Sequence, residues 1–415
     1  MKRSFLIAVS QCLILFSCNK SNSIDVPPNC DSCLAQTQPI ATTIMKQMEG
    51  IYNLVDGDKG LGNQFVCKVS KKKISFFSDK SGIYIILGYG MNVKDSSILL
   101  NGFWRYSETD EQGSINFYIS GRNGGSSFIS NGSIDHLKLS GHFSGENSPA
   151  HEIVIQFTKH FTQFAIDHEF MIFAHHGIQT DNDPPYTENS LDAAIHAGDY
   201  GVNGLEFDVH LTEDGIPICA HDADIETRDA EKGPLSGDYI QYTYATLDSL
   251  LRLTDGERIA TVDQVLDAFI DSTTLKYMWL DVKGDPNIFK YLDPIVRAAY
   301  SKAALANRQV VIFADLTSSD VIAEFHQWPD YASLPTICET SLDDAINNNC
   351  QFWGPRYTLG LLLDQVARAH SLGMKVLTWT LDDKDLIEDY LASGKFDGFI
   401  TDFPAYVVYD FYTQF

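Results

Sequence analysis

From about residue 168 to the end of the chain, short apolar runs of strand length alternate with stretches that have the spacing of amphipathic helices. Strand-like runs lie at 171–174, 204–209, 277–282, 310–313 and 375–380, with helical patterns between them. Such alternation is typical of an α/β domain with a parallel sheet. The length of the segment favours a (β/α)₈ TIM barrel, which we predict for residues 164–415.

This segment contains one strand candidate more than the eight strands of such a barrel. Residues 216–220 follow the strand at 204–209 across the turn signal Glu213-Asp214-Gly215, and the gap leaves no room for a helix. Either this run pairs with its predecessor as a hairpin extension, or the strand count is wrong.

Residues 44–163 have a different pattern. Short runs that alternate apolar and polar residues, as at 83–87, 114–119 and 152–157, are separated by turn signals rich in Gly, Asn, Asp and Ser. Strands of this length and spacing predict a small all-β domain, either an antiparallel sandwich or a barrel. The sequence of this block shows no catalytic constellation and names no ligand.

The amino terminus has the pattern of an export signal. A basic tripeptide precedes a mostly apolar run at 5–16, which is too short to cross a bilayer as a mature helix. We predict a signal peptide at 1–17. The segment 15–18 resembles the lipobox of bacterial lipoproteins, which implies lipidation of Cys18 and a polar tether at 18–43. The chain is thus expected to be exported and lipid-anchored to a bacterial membrane, at a periplasmic or cell-surface face. The alternative is an ordinary signal peptide with an incidental cysteine.

The overall charge argues against one class of partner. The chain carries 30 Lys and Arg residues against 55 Asp and Glu residues, a formal net charge of −25. Nucleic acid would be repelled unless basic residues were gathered locally, and the sequence contains no long basic run. We therefore expect no nucleic-acid partner.

Acidic residues interrupt two of the apolar strands. Glu206 and Asp208 are two residues apart, so their side chains point to one face of the strand, while Phe207 and Val209 suit the side under the helices. Two ionised carboxylates inside a barrel repel each other and are poorly solvated, so either one keeps a proton or a cation holds both. An all-oxygen ligand set favours Ca²⁺ or Mg²⁺ over zinc.

Other polar residues follow the same strands at their carboxyl ends. Asp281 and Lys283 are again two residues apart, His175 and His176 close the first strand, and His221 closes the hairpin strand. Barrel enzymes keep their chemistry at the carboxyl ends of their strands. The pattern therefore predicts an active site with a divalent metal ion at this end of the barrel.

The motifs together resemble the glycerophosphodiester phosphodiesterase family over residues 170–405. The segments that carry the resemblance are His175-His176-Gly177, Glu188-Asn189-Ser190, Glu206-Phe207-Asp208-Val209, Thr212-x-Asp214-Gly215, His221-Asp222, Leu280-Asp281-Val282-Lys283 and Asp397-Gly398-Phe399-Ile400-Thr401-Asp402-Phe403-Pro404. The family's fold is a (β/α)₈ barrel, in agreement with the alternation described above.

The resemblance implies a role for each of these site residues. The general acid/base pair would be His175 and His221, and the ligands of the divalent ion would be Glu206, Asp208 and Asp281. The residues assigned to phosphate or substrate are Lys283, His176, Glu188 and Trp379.

Two of these residues have alternative roles, and two others differ from the residue that the family usually has. Glu188 would support the metal shell or the substrate, and Trp379 would pack on the glycerol moiety or belong to the barrel core. The family usually has Arg where this chain has His176, and Glu where it has Asp281, so phosphate binding should rely more on the metal and on Lys283.

The expected activity is metal-dependent hydrolysis of glycerophosphodiesters to sn-glycerol 3-phosphate and an alcohol. One alternative is a phospholipase of the same barrel type that cleaves head groups of intact lipids, for which the segment 239–244 is the candidate apolar rim. Another is a non-catalytic binding lipoprotein in which the β-rich block captures a ligand. The presence of both His175 and His221 favours an enzyme.

Overall fold

The computed structural model describes most of the chain. The described residues run from 34 to 414, except for Ser81, Asp110, His136, 146–147, 178–185, Pro286 and 329–332. The predicted signal peptide, Cys18 and most of the predicted tether lie outside the described residues. Among the helices within these ranges, none has the length and apolar composition needed to cross a membrane.

The first half of the chain forms a closed antiparallel barrel. Its strands are β1 (Gly50–Gly57), β2 (Gln64–Val69), β3 (Ile74–Ser78), β4 (Ile83–Asn92), β5 (Ser97–Tyr106), β6 (Gln112–Ile119), β7 (Lys138–Gly145) and β8 (His151–Lys159). Each strand pairs with the next one, and β8 pairs back with β1. Of the two predicted all-β forms, the barrel is thus the one that forms.

Alternation of side chains fills the interior of this barrel. In β6, Ile115, Phe117 and Ile119 are buried whereas Ser114 and Tyr118 are exposed, as the two-residue period of a strand requires. Two short helices, α1 (Thr42–Met45) and α2 (Gly125–Asn131), add Met45 and Phe128 to the same core.

The structure differs from the expectation of simple turns between β6 and β7. A 3₁₀ turn (Gly121–Asn123) and then α2 fill this connection. Gly124 and Gly132 flank α2 with φ of 100° and 74°. Glycine adopts this left-handed region without steric cost, so Gly124 and Gly132 mark the two ends of the helix.

The second half forms the predicted (β/α)₈ barrel. Its strands are β9 (Met171–Ala174), β10 (Gly204–Leu211), β11 (Pro217–Cys219), β12 (Tyr277–Val282), β13 (Val311–Leu316), β14 (Thr336–Cys338), β15 (Phe352–Trp353), β16 (Lys375–Thr378) and β17 (Gly398–Thr401). Eight of them are parallel neighbours, and β9 closes the ring between β17 and β10. The extra strand, β11, pairs antiparallel with β10 outside the ring, which confirms the hairpin extension.

Helices surround this ring and connect its strands. They are α3 (Gln163–Asp167), which precedes β9, and α4 (Leu191–His196), α5 (Tyr244–Leu250), α6 (Val262–Ser272), α7 (Ile288–Leu305), α8 (Ser319–Phe325), α9 (Leu342–Asn347), α10 (Leu363–Ser371), α11 (Lys384–Ser393) and α12 (Pro404–Gln414). Large aromatic side chains such as Phe173, Trp279 and Phe313 pack inside the ring.

The two barrels share an apolar interface. Phe77 and Tyr84 of the first barrel belong to one buried cluster with Tyr200 and Val408 of the second, and the rings of Tyr84 and Tyr200 lie 5.2 Å apart. Ser75 Oγ donates to the carbonyl of Asp199 at 2.6 Å. Burial of this apolar surface couples the stability of the two barrels.

We expect Phe77→Ala to lower the free energy of unfolding by about 3–5 kcal/mol, because the buried ring leaves a cavity against Gly201 in the interface. Urea unfolding followed by fluorescence measures the change. Tyr118→Ala on β6 is the control: its side chain is 41% exposed, and its effect should stay within about 0.5 kcal/mol. Equal effects of the two substitutions would contradict a packed interface.

Candidate active site

The predicted site residues converge at the carboxyl ends of the parallel strands. His175 and His176 follow β9, Glu206 and Asp208 lie in β10, and Asp281 lies in β12. Strands β10 and β12 pair so that Asp208 is directly beside Asp281. The inward orientation inferred from the two-residue spacing therefore holds, and the strand pairing adds the third carboxylate.

Three carboxylates meet at this point. Glu206, Asp208 and Asp281 each offer an oxygen within 4.8 Å of the others. Glu206 Oε1 and Asp281 Oδ1 are buried without a hydrogen-bond partner among the described residues. Unpaired buried oxygens of an all-carboxylate set fit a hard divalent cation such as Ca²⁺ or Mg²⁺.

The pKa shifts of these carboxylates also favour a bound cation. Burial, together with the neighbouring charge of Asp208, raises the pKa of Glu206 well above its usual value. Burial also raises the pKa of Asp281, although the ammonium of Lys283 opposes this. Bringing several carboxylates together out of water disfavours their ionised forms, and a bound cation reverses that preference.

Lys283 supplies the nearest positive charge of the chain. Its Nζ lies 2.6 Å from Asp208 Oδ1 and 2.6 Å from Asp281 Oδ2. Burial alone would raise the pKa of Asp208, but the charges of His176 and Lys283 lower it to about 2. Lys283 therefore contacts two of the three carboxylates in this structure, and its predicted contact with phosphate stays a prediction.

The two histidines of the predicted acid/base pair each have a carboxylate partner. His175 Nδ1 lies 2.7 Å from Asp402 Oδ1, and His221 Nδ1 lies 2.9 Å from Asp222 Oδ1. These bonds fix both imidazole rings and leave Nε2 of each as the nitrogen for proton transfer. Burial lowers the pKa of His175, but the bond to Asp402 raises it, and the net shift is upward.

His176 lies between the two histidines. Its ring centre is 3.7 Å from that of His175 and 4.9 Å from that of His221. Its Nδ1 lies 3.3 Å from Glu188 Oε2 and its Nε2 3.2 Å from Asp208 Oδ2. Both nitrogens thus face carboxylates in this structure, so its predicted contact with phosphate also stays a prediction.

The backbone around His176 is strained in a way that serves this arrangement. His176 has φ of 50° and Asn189 has φ of 56°, a left-handed conformation that non-glycine residues adopt at a cost. The turn lets the amide of His176 donate to Glu206 Oε2 at 2.9 Å. Asn189 donates to Asp208 Oδ2 at 2.7 Å and accepts from the amide of Asp208 at 2.9 Å.

The family match falls on this site. Residues 175–308 match the model of the glycerophosphoryl diester phosphodiesterase family, and this range contains the two predicted acid/base histidines and all three carboxylates. The α/β domain is thus similar to this family over the residues that carry the predicted site.

Relatives with related sequences cover the same part of the chain. The chain is 22% identical over 245 residues to a glycerophosphodiester phosphodiesterase of Caldanaerobacter subterraneus subsp. tengcongensis, a match covering 57% of this chain and 96% of the relative. It is 24% identical over 246 residues to a glycerophosphodiester phosphodiesterase of Bacillus altitudinis, covering 56% and 94%. A solved glycerophosphodiester phosphodiesterase structure from Parabacteroides distasonis matches at 23% identity and a TM-score of 0.48, covering 59% of this chain and 98% of that one.

In the α/β domain, the hydrogen-bond partners of Glu188 are His176 and Arg228 rather than the three clustered carboxylates. Its Oε2 faces His176, and its Oε1 accepts from Arg228 at 2.8 Å. Burial would raise the pKa of Glu188, but the bond to His176 and the charges of His176 and Arg228 together lower it. Glu188 thus holds His176 in its position beside Asp208.

Three site residues carry roles that the sequence did not assign. Asp222 and Asp402 orient the histidines, and both lie inside the motifs quoted in the sequence analysis. The available signals were the position of Asp222 next to His221 and that of Asp402 at the end of a strand. Arg228 also donates to Asp222 Oδ2 at 3.2 Å, so it links Glu188 to the partner of His221. No sequence signal marks Arg228, because it is a single basic residue in a long loop.

Trp379 lies just beyond β16 and is half-buried against the aromatic core of the ring. Its Nε1 donates to the carbonyl of Gly354 at 2.8 Å, and the guanidinium of Arg356 lies 4.7 Å from its ring centre. These contacts fix the indole at the mouth of the barrel. Its packing against a glycerol moiety stays a prediction.

We expect Asp402→Asn to lower the pKa of His175. Burial lowers this pKa and the negative charge of Asp402 raises it, so removing the charge leaves the effect of burial. The His175 ring protons, followed by NMR as the pH is varied, report the titration. Asp364→Asn on the exposed start of α10 is the control and should leave it unchanged. An unchanged His175 titration in Asp402→Asn would show that the pair is not electrostatically coupled.

Proposed function

We propose that the protein is a metal-dependent glycerophosphodiester phosphodiesterase that releases sn-glycerol 3-phosphate and an alcohol. The observation that carries the proposal is the placement of two carboxylate-paired histidines, His175 and His221, beside a cluster of three carboxylates at one barrel mouth. The names of the relatives support the same reaction, that of a phosphoric diester hydrolase.

The substrate is an anion, so the mouth of a protein with a net charge of −25 needs local positive charge. A divalent cation held by Glu206, Asp208 and Asp281 would supply Lewis-acid stabilisation of the charge that develops on the phosphoryl oxygens. The all-oxygen donor set supports Ca²⁺ or Mg²⁺. Lys283, already against two of these carboxylates, is the side chain that would reach the phosphate.

The histidines would move the protons. His175, whose pKa is raised, favours its protonated form and suits protonation of the departing alkoxide. His221, oriented by Asp222, would then accept a proton from the nucleophile. Arg228 and Glu188 would keep His221 and His176 in place through their carboxylate bonds.

The phospholipase alternative needs an apolar rim that contacts lipid. In the segment 239–244, Tyr239 is buried, and Tyr242 donates its hydroxyl to the carbonyl of Ser236 at 2.7 Å. Ile240 is the exposed large apolar residue in this segment. One such residue provides little apolar surface, which supports a soluble diester as the substrate.

The non-catalytic alternative is disfavoured by the site itself. A binding scaffold would have no need for carboxylate partners that orient two histidines beside a cluster of three carboxylates. For the cellular location, we propose an exported protein with a lipid anchor at Cys18, on the strength of the amino-terminal sequence alone. The barrel would then work on diesters outside the cytoplasm.

A substrate panel with and without metal tests the activity. We expect hydrolysis of glycerophosphocholine and glycerophosphoethanolamine, abolition by EDTA and recovery with Ca²⁺ or Mg²⁺, because the carboxylates need a cation to act on an anion. Release of sn-glycerol 3-phosphate is measured by a coupled assay. Intact phosphatidylcholine vesicles serve as the comparison substrate. Activity that survives EDTA would contradict the metal, and faster cleavage of vesicles would favour the phospholipase.

Removal of one imidazole tests the acid/base pair. We expect His221→Ala to lower kcat about 10²-fold or more, since a positioned general base contributes about that much. The matched control is His160→Ala, on the first barrel and away from the mouth, which should keep the wild-type rate. Circular dichroism checks that both variants fold. A near-normal kcat in His221→Ala would refute the assignment.

A further inference from the structure

A second cavity lies at the opposite end of the parallel strands from the catalytic residues. It has a volume of about 650 Å³ and is bounded by α3, α10, α11 and α12. Lys375, at the start of β16, and Phe396 and Asp397, just before β17, form its strand side. The site described above uses the carboxyl ends of these strands, so the two are separate.

Aromatic rings form the walls of this cavity. Phe170 stacks on Phe411 with ring centres 4.9 Å apart, and Tyr390 stacks on Phe396 at 5.5 Å with an interplanar angle of 9°. Phe164 of α3 lies at the edge and is exposed. Flat apolar walls of this kind bury hydrocarbon favourably, and the cavity volume falls within the range of small-molecule sites, about 300–1,000 Å³.

The charged residues around the cavity are mostly basic. Lys375, Lys395, His168 and His370 line it together with a single carboxylate, Asp397. Asp397 is already satisfied, because Lys375 Nζ lies 2.6 Å and His370 Nε2 2.8 Å from its oxygens. Lys395 is exposed and has no ion-pair partner among the described residues. Because Lys375 is paired with Asp397, the ammonium of Lys395 is the positive charge that a ligand would meet, and it favours an anion.

We propose that this cavity binds a monoanionic amphiphile, specifically a fatty acid. Its carboxylate would pair with Lys395 near Lys375, and its hydrocarbon chain would lie on the aromatic walls. A neutral apolar ligand would gain nothing from the lysines, and a free phosphate would gain nothing from the rings. The combination of both features selects a ligand that has both a charged end and an apolar body.

Isothermal titration of the purified full chain with monomeric dodecanoate tests the proposal. We expect one dodecanoate per chain, with dodecanol binding about tenfold more weakly because it lacks the charge. Inorganic phosphate should not bind measurably at this site. Equal affinities for dodecanoate and dodecanol, or no binding of dodecanoate, would overturn the proposal. Binding only to phosphatidylglycerol vesicles would also overturn it, since it would indicate a membrane surface.

Two variants locate the site. Ala367→Trp, from an exposed position on α10, fills the cavity and should abolish dodecanoate binding. Lys395→Gln should weaken it about fivefold, as expected for one exposed ion pair. Lys384→Gln, on α11 but outside the cavity, is the matched control and should bind as the wild type does. Wild-type affinity in Ala367→Trp would place the binding elsewhere. Diester hydrolysis and circular dichroism, unchanged in all three, check folding independently of ligand binding.

Discussion

The burial of three carboxylates at one barrel mouth is the constraint on which the rest of the site depends. Glu206, Asp208 and Asp281 lie too close together, and too far from water, to be ionised without nearby positive charge. The chain provides part of this charge through Lys283 and His176, each within 3.2 Å of Asp208. Two carboxylate oxygens remain unpaired, and these oxygens favour a divalent cation.

The surrounding side chains form connected pairs rather than isolated contacts. Arg228 joins Glu188 to Asp222, and through them it supports both His176 and His221. On the other side of the mouth, Asp402 orients His175. A site that holds its groups this way is preorganised, because each ring is already restrained before a substrate arrives.

The antiparallel barrel packs against the parallel barrel, which carries the candidate active site. The antiparallel barrel contributes an apolar face that packs on α12 and on the 3₁₀ turn Ala197–Tyr200. The cavity between α3, α10, α11 and α12 lies at the other end of the same strands, so binding there would not obstruct the active site.

The sequence by itself determined the (β/α)₈ barrel, the all-β class of the first domain, the inward carboxylates and the histidines at the strand ends, because the two-residue period of a strand and the position of strand ends are local properties. Its nine strand candidates agree in number with the nine described strands β9 to β17 of the second half. Only the structure decided that the all-β domain is a barrel and not a sandwich. Only the tertiary structure decided the partners of the histidines, the role of Arg228 and the contacts of His176. Those depend on loops from different strands meeting at one mouth, and no local pattern encodes such distances.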